Sequence, residues 1–171
     1  MPLQNIPFEI IKSSFIECLN DIVNGNDRYL LQHRVHERTI VARLSCILSL
    51  KGFFNEYDID CEYNRSGENP KWNDMPWVNK IKIPDLIIHK RWEYIYDLLY
   101  CEFKLWNKWA TERNKLIKHD IDRIKNFMIN EPYKYRYWAF IYFSKILNKS
   151  WIIRLKKDGQ WNIIYEEKIF I

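Results

Sequence analysis

The chain has 171 residues, 47% of them hydrophobic and 16% aromatic, with only four glycines and six prolines. That suits a single domain with a substantial core and excludes a disordered chain or a glycine-rich phosphate loop. The net charge of +5 is compatible with a polyanionic partner but common in domains without one. No stretch approaches the ~18 apolar residues needed to cross a bilayer, so no membrane association is expected.

Cys18, Cys46, Cys61 and Cys101 are widely spaced, without a CxxC pair, and each lies in an apolar segment. Buried free thiols in a reducing cytosol are expected rather than disulfides or zinc ligands. The N-terminus has no cationic region followed by an apolar run, so no signal peptide is expected and the chain is assigned to the cytoplasm.

Residues 6–24 carry Ile6, Ile10, Ile11, Phe15, Leu19 and Val23 at helical spacing, and Asn24-Gly25-Asn26 ends that helix. Asp27 is the expected cap of a second helix over 28–50, with Ile40, Val41, Leu44, Ile47 and Leu48 as its core stripe. Glu37 precedes Val41 by four residues and Leu44 by seven, which puts it on the buried face near Arg34, Arg38 and Arg43. A surface acid in a salt bridge fits the same spacing. Lys51-Gly52 closes the helix.

Over 57–65, Tyr57, Ile59, Cys61 and Tyr63 alternate with Asp58, Asp60, Glu62 and Asn64, the pattern of a half-buried strand with an acidic face. Glu62 is either a further metal-shell acid or, more commonly for such a face, solvated. Residues 66–80 read as a loop, where Trp72 and Trp77 either stack on bases or pin the loop to the core. Two strands follow within 81–106. An amphipathic helix is expected over 110–130, with Thr111 as N-cap and Ile117, Ile121, Ile124 and Met128 as its stripe. An apolar central strand spans 137–147. Residues 151–156 and 161–165 flank Lys157-Asp158-Gly159-Gln160 as a terminal hairpin. A mixed sheet with helices on both faces buries these elements.

The chemistry concentrates in 81–106. Asp85 sits between Ile83 and Ile87, and Glu102 sits amid Leu98, Leu99, Cys101 and Phe103. Strand alternation puts Glu102 and Lys104 on one face, about 7 Å apart. Carboxylates in apolar strands are costly unless paired or bound to a cation. Two acids and a lysine there suggest a divalent-metal site. A Lys104–Glu102 salt bridge beside a capped Asp85 is the plainer alternative.

The element order, Pro84-Asp85, and Glu102-Phe103-Lys104 after 16 intervening residues resemble the PD-(D/E)XK nuclease superfamily. The block VHERTIVARL…DIDCEYNR…PDLIIHKR…CEFK is also similar to a group of small bacterial proteins assigned to it. The resemblance implies an α/β restriction-endonuclease-like core, α-β-β-β-α-β, within one domain over 1–171. That core covers about 28–147, with a helix (6–24) and a hairpin (150–171) added. It implies metal ligands Asp85, Glu102, the Phe103 carbonyl and Glu37, with Lys104 orienting water or stabilising the phosphate.

Mg²⁺, or Mn²⁺ in its place, suits hard oxygen ligands of this kind and supplies Lewis-acid chemistry. Candidate nucleic-acid contacts are Arg65, His89, Lys90, Arg91 and Lys125, with Lys115 and Lys118 beside the last. A solvated charged face, and for His89 a satisfied structural histidine, explain the same residues. The expected function is a metal-dependent DNA endonuclease, as a homodimer where both strands of a duplex are cut. The alternatives are a non-cleaving nucleic-acid-binding or assembly protein, and an RNase or cyclic-oligonucleotide nuclease.

Overall fold

Three helices precede a mixed β-sheet. The computed structural model describes residues 6–33, 35–63, 65–66, 69–70, 83–91, 97–106, 135–144, 150–157 and 165–170. The helix expected over 110–130, the loop tryptophans Trp72 and Trp77, and Arg34 lie outside the described residues.

Helix α1 (Phe8–Asn24) buries Ile11, Phe15, Cys18, Leu19, Ile22 and Val23, a stripe recurring every three or four residues. It begins at Phe8 rather than Ile6 because Pro7 holds an extended backbone at the N-cap position. Ile10, expected in the stripe, is exposed.

The helix expected over 28–50 is two helices, α2 (Arg28–Gln32) and α3 (Glu37–Lys51). The His33 amide and ring nitrogen both donate to the Tyr29 carbonyl, at 3.1 and 2.9 Å, and the His33 ring stacks on Tyr29. His36 is then extended, which re-aims the chain before α3. Asp27 makes no side-chain cap; its carboxylate instead pairs with Arg43 at 2.6 Å. Ile40, Val41, Leu44, Ile47 and Leu48 are buried, as the periodicity predicts. Gly52 closes α3 in the left-handed conformation at φ 69°.

Six strands form one sheet in the order β1-β4-β5-β6-β7-β8. They are β1 (Asp58–Cys61), β4 (Leu86–His89), β5 (Leu99–Trp106), β6 (Tyr137–Ser144), β7 (Ser150–Lys157) and β8 (Tyr165–Phe170). Only β5 and β6 are parallel; the other neighbours are antiparallel. A separate ribbon pairs β2 (Arg65–Ser66) with β3 (Asn69–Pro70).

Strand β1 is shorter than the 57–65 expected, because Glu62 turns out of the strand at φ 51°. The expected terminal hairpin is β7 and β8, which pair antiparallel and extend the main sheet beyond β6; residues 158–164 lie outside the described residues. Strand β6 sits inside the sheet between β5 and β7, as its apolar run predicts.

Period two divides the strands cleanly. Leu86, Ile88, Leu99, Cys101, Phe103, Tyr137, Ala139 and Ile141 form one core cluster with the buried stripes of α1 and α3. The register puts Asp58, Asp60, Ile87, His89, Tyr100, Glu102 and Phe140 on the opposite face. Among the described residues the helices thus cover one face. Cys18 and Cys101 are buried free thiols as expected, but Cys46 and Cys61 are exposed free thiols: Cys46 lies off the α3 stripe, and Cys61 ends the edge strand β1. No helix among the described residues is long and apolar enough to cross a membrane.

Candidate active site

Strand β4 starts at Leu86, opposite Cys101 of β5. Extended by one residue, that register sets Asp85 opposite Glu102, on the same face. Pro84 has no N–H to contribute to a ladder. The amide of Phe103, its register partner, donates instead to the Asp85 carboxylate at 2.6 Å. The Asp85 carbonyl accepts the Glu62 amide at 3.2 Å, so neighbours on both sides fix the residue. Burial chiefly, then the charge of Glu102 and more weakly that of Glu37, push the Asp85 carboxyl up to about 7; the Phe103 amide and Lys104 pull the other way.

Glu102 is 2% exposed, in the middle of β5. Tyr100, two residues earlier on the same face and fully buried, donates its hydroxyl to Glu102 Oε1. The Tyr135 ring meets Tyr100 edge-on at 5.2 Å. Tyr100 belongs to no motif, and its period-two spacing from Glu102 is the one signal of it in the sequence.

Lys104 pairs with an acid of helix α3. Its Nζ lies 3.4 Å from Glu37 Oε1, an ion pair longer than a good hydrogen bond. Glu37 is the first residue of α3 and half-buried, so it reaches the sheet from the helix end rather than from the buried stripe. The helix break at 33–36 is what brings it there. Asp85, Glu102, Lys104 and Glu37 thus share one electrostatic environment.

A second polar network lies toward the other end of β4. His89 is 3% exposed, and Asp58 is its register partner on β1. His89 Nε2 meets Asp60 Oδ2 at 2.9 Å, Nδ1 lies 3.9 Å from Asp97, and the Tyr63 ring packs at 4.5 Å. Arg91 forks onto both Asp60 oxygens at 2.9 and 2.5 Å and lies 3.7 Å from Asp58. Burial alone would raise the Asp60 carboxyl; the hydrogen bonds from Arg91 and His89, with their charges, outweigh it and hold Asp60 below the usual range.

Among the expected nucleic-acid contacts, His89 is therefore engaged by acids, as a satisfied structural histidine would be. Arg91, though exposed, is engaged by the same acids, and half-buried Lys90 lies 5.8 Å from the Tyr57 ring centre. The side chains of Arg65 and Lys125 lie outside the description, as do Lys115 and Lys118. Glu62 is exposed and paired with Arg38 at 2.5 Å, the solvated alternative for that face.

Among the described residues no three His, Cys, Asp or Glu side chains converge to hold an ion by themselves. Two facing carboxylates of this kind still suit a hard cation such as Mg²⁺, which commonly takes one or two protein carboxylates and completes its shell with water and phosphate oxygens. Burial chiefly raises Asp85, and a cation held by the two acids would relieve the Glu102 repulsion that adds to it. Comparison with family models, curated proteins and solved structures gives no match for this chain.

Proposed function

We propose that the chain is a divalent-metal-dependent nuclease on a restriction-endonuclease-like core, acting on DNA. The observation that carries this reading is the grouping of two acids on facing strand positions with Lys104, joined by Glu37 from the start of α3. Beyond its burial, Asp85 carries the added charge of Glu102, which Lys104 offsets only in part.

Asp85 and Glu102 would hold Mg²⁺, and the ion would supply positive charge on the scissile phosphate together with a more acidic water. The remaining roles belong to the chain itself. The Phe103 amide fixes the Asp85 carboxylate. Lys104 brings an ammonium to the same face as Glu102, where it can stabilise charge building on the phosphate oxygens. Glu37 sets the resting position of that ammonium. In the net reaction, water adds to phosphorus, the P–O bond to the leaving sugar oxygen breaks, and that oxygen takes a proton.

The test is cleavage of supercoiled plasmid, single-stranded DNA, RNA and a cyclic oligonucleotide, each with Mg²⁺, Mn²⁺ or chelator. Metal-dependent DNA cleavage, reduced at least about a hundredfold in Asp85→Ala and Lys104→Ala, is expected. Undiminished cleavage in both variants refutes the site. Cleavage confined to RNA or the cyclic substrate changes the substrate but not the centre.

A second reading, a nucleic-acid-binding or assembly protein that cleaves nothing, draws on the Lys104–Glu37 pairing and the lack of three converging ligands among the described residues. It predicts nucleic-acid binding unaffected by chelator or by Glu102→Gln.

A further inference from the structure

We infer that Tyr100 is a positioning residue for the centre: its hydroxyl holds the Glu102 carboxylate in the orientation that receives the metal. The inference rests on the reading of Glu102 as a ligand.

Glu102 is 2% exposed and Tyr100 wholly buried, so little bulk water is at hand to orient the carboxylate. Tyr100 lies two residues before Glu102 on β5, on the same face, and donates to Oε1. A hydrogen bond to one carboxylate oxygen selects a side-chain rotamer and leaves the direction of the second oxygen determined. The ring that carries the hydroxyl is itself held. Tyr100 is the register partner of Ile87 on β4, and Tyr135 packs against its ring edge-on. Its reach to Glu102 is therefore set by the sheet and not by a mobile side chain.

A buried phenol is a costly way to satisfy a carboxylate unless orientation matters, since its own hydroxyl then also needs a partner away from water. Tyr100 and Glu102 are hydrogen-bonded to one another within one strand. This device would work through the ligand it holds and never touch the phosphate. Partners of this sort typically change metal affinity by about 10–100-fold when removed.

The experiment is titration of the whole chain with Mn²⁺ alone, followed by calorimetry, for wild type, Tyr100→Phe, Glu102→Gln and the double variant. Tyr100→Phe keeps the ring and removes only the hydroxyl, and melting curves in chelator verify that it folds. It should weaken Mn²⁺ binding about tenfold, and in the Glu102→Gln background it should add nothing. In cleavage assays, raising Mn²⁺ should return Tyr100→Phe to within about twofold of the wild-type rate, a recovery that loss of packing alone would not give. Wild-type protein that binds no Mn²⁺ defeats the metal-centre reading itself. Wild-type binding with an unchanged constant in Tyr100→Phe, or an equal loss in the Glu102→Gln background, overturns the role of Tyr100 while leaving the centre standing.

Discussion

At Asp85, burial and the neighbouring Glu102 charge make the folded carboxyl bind its proton more tightly than the unfolded chain does. Between the ordinary carboxylate range near 4 and the folded value of about 7, the folded state holds more protons. The contribution of Asp85 to stability is therefore fully present at low pH, declines as pH rises through that window, and is lost above it. Asp85→Asn removes the titration but keeps an oxygen able to accept from the Phe103 amide. In chelator at pH 8 the variant should be more stable than wild type by about 1–2 kcal/mol, partial exposure of the site moderating the effect. Urea melts at several pH values give the difference. It should shrink toward zero near pH 4, and a difference independent of pH would refute the assignment. A residue that weakens the fold while completing a charged centre fits the usual exchange between stability and activity.

The edge strand β1 is held to β4 by its ladder and by side chains reaching across it. Asp60 ties buried His89 and the Arg91 guanidinium to that strand. Asp60→Ala strands His89 without this partner and should cost about 2 kcal/mol in urea unfolding, with Mn²⁺ affinity unchanged because Asp85 and Glu102 lie toward the other end of β4. Here the pH sign reverses. The Asp60 carboxyl is depressed in the fold, so its contribution is present at neutral pH and lost on acidification, and Asp60→Ala should lose part of the wild-type acid dependence. At the end of α3, Gly52 has φ 69°, and an added methyl would lie 3.0 Å from the Asn55 side chain. Gly52→Ala should lower stability by about 1 kcal/mol, read as a lower urea midpoint at unchanged slope.

Over the whole molecule, the legible parts were those set by repeating burial. The α3 stripe from Ile40 to Leu48 follows from periodicity, and the interior strand β6 from its apolar run. Asp85, Glu102 and Lys104 were legible because acids in apolar strands stand out. Features made by contacts distant in sequence were hidden. Arg43 draws Asp27 away from capping across 16 residues, and His89 finds Asp60 only once β1 and β4 are in register. The break before α3 has neither glycine nor proline to announce it.

The parallel pairing of β5 with β6 has a kinetic consequence. The chain from 107 to 136 must close before Glu102 can meet Phe140 and Lys104 can meet Tyr142, whereas β4 and β5 are neighbours in sequence. The expectation is that Glu102 stays hydrated through the early steps of folding and loses its water after the main barrier. Ile141→Val, on buried β6, should accelerate unfolding and leave refolding nearly unchanged in stopped-flow measurements. The charge centre of this chain would thus become dry only once its parallel strand pair has closed.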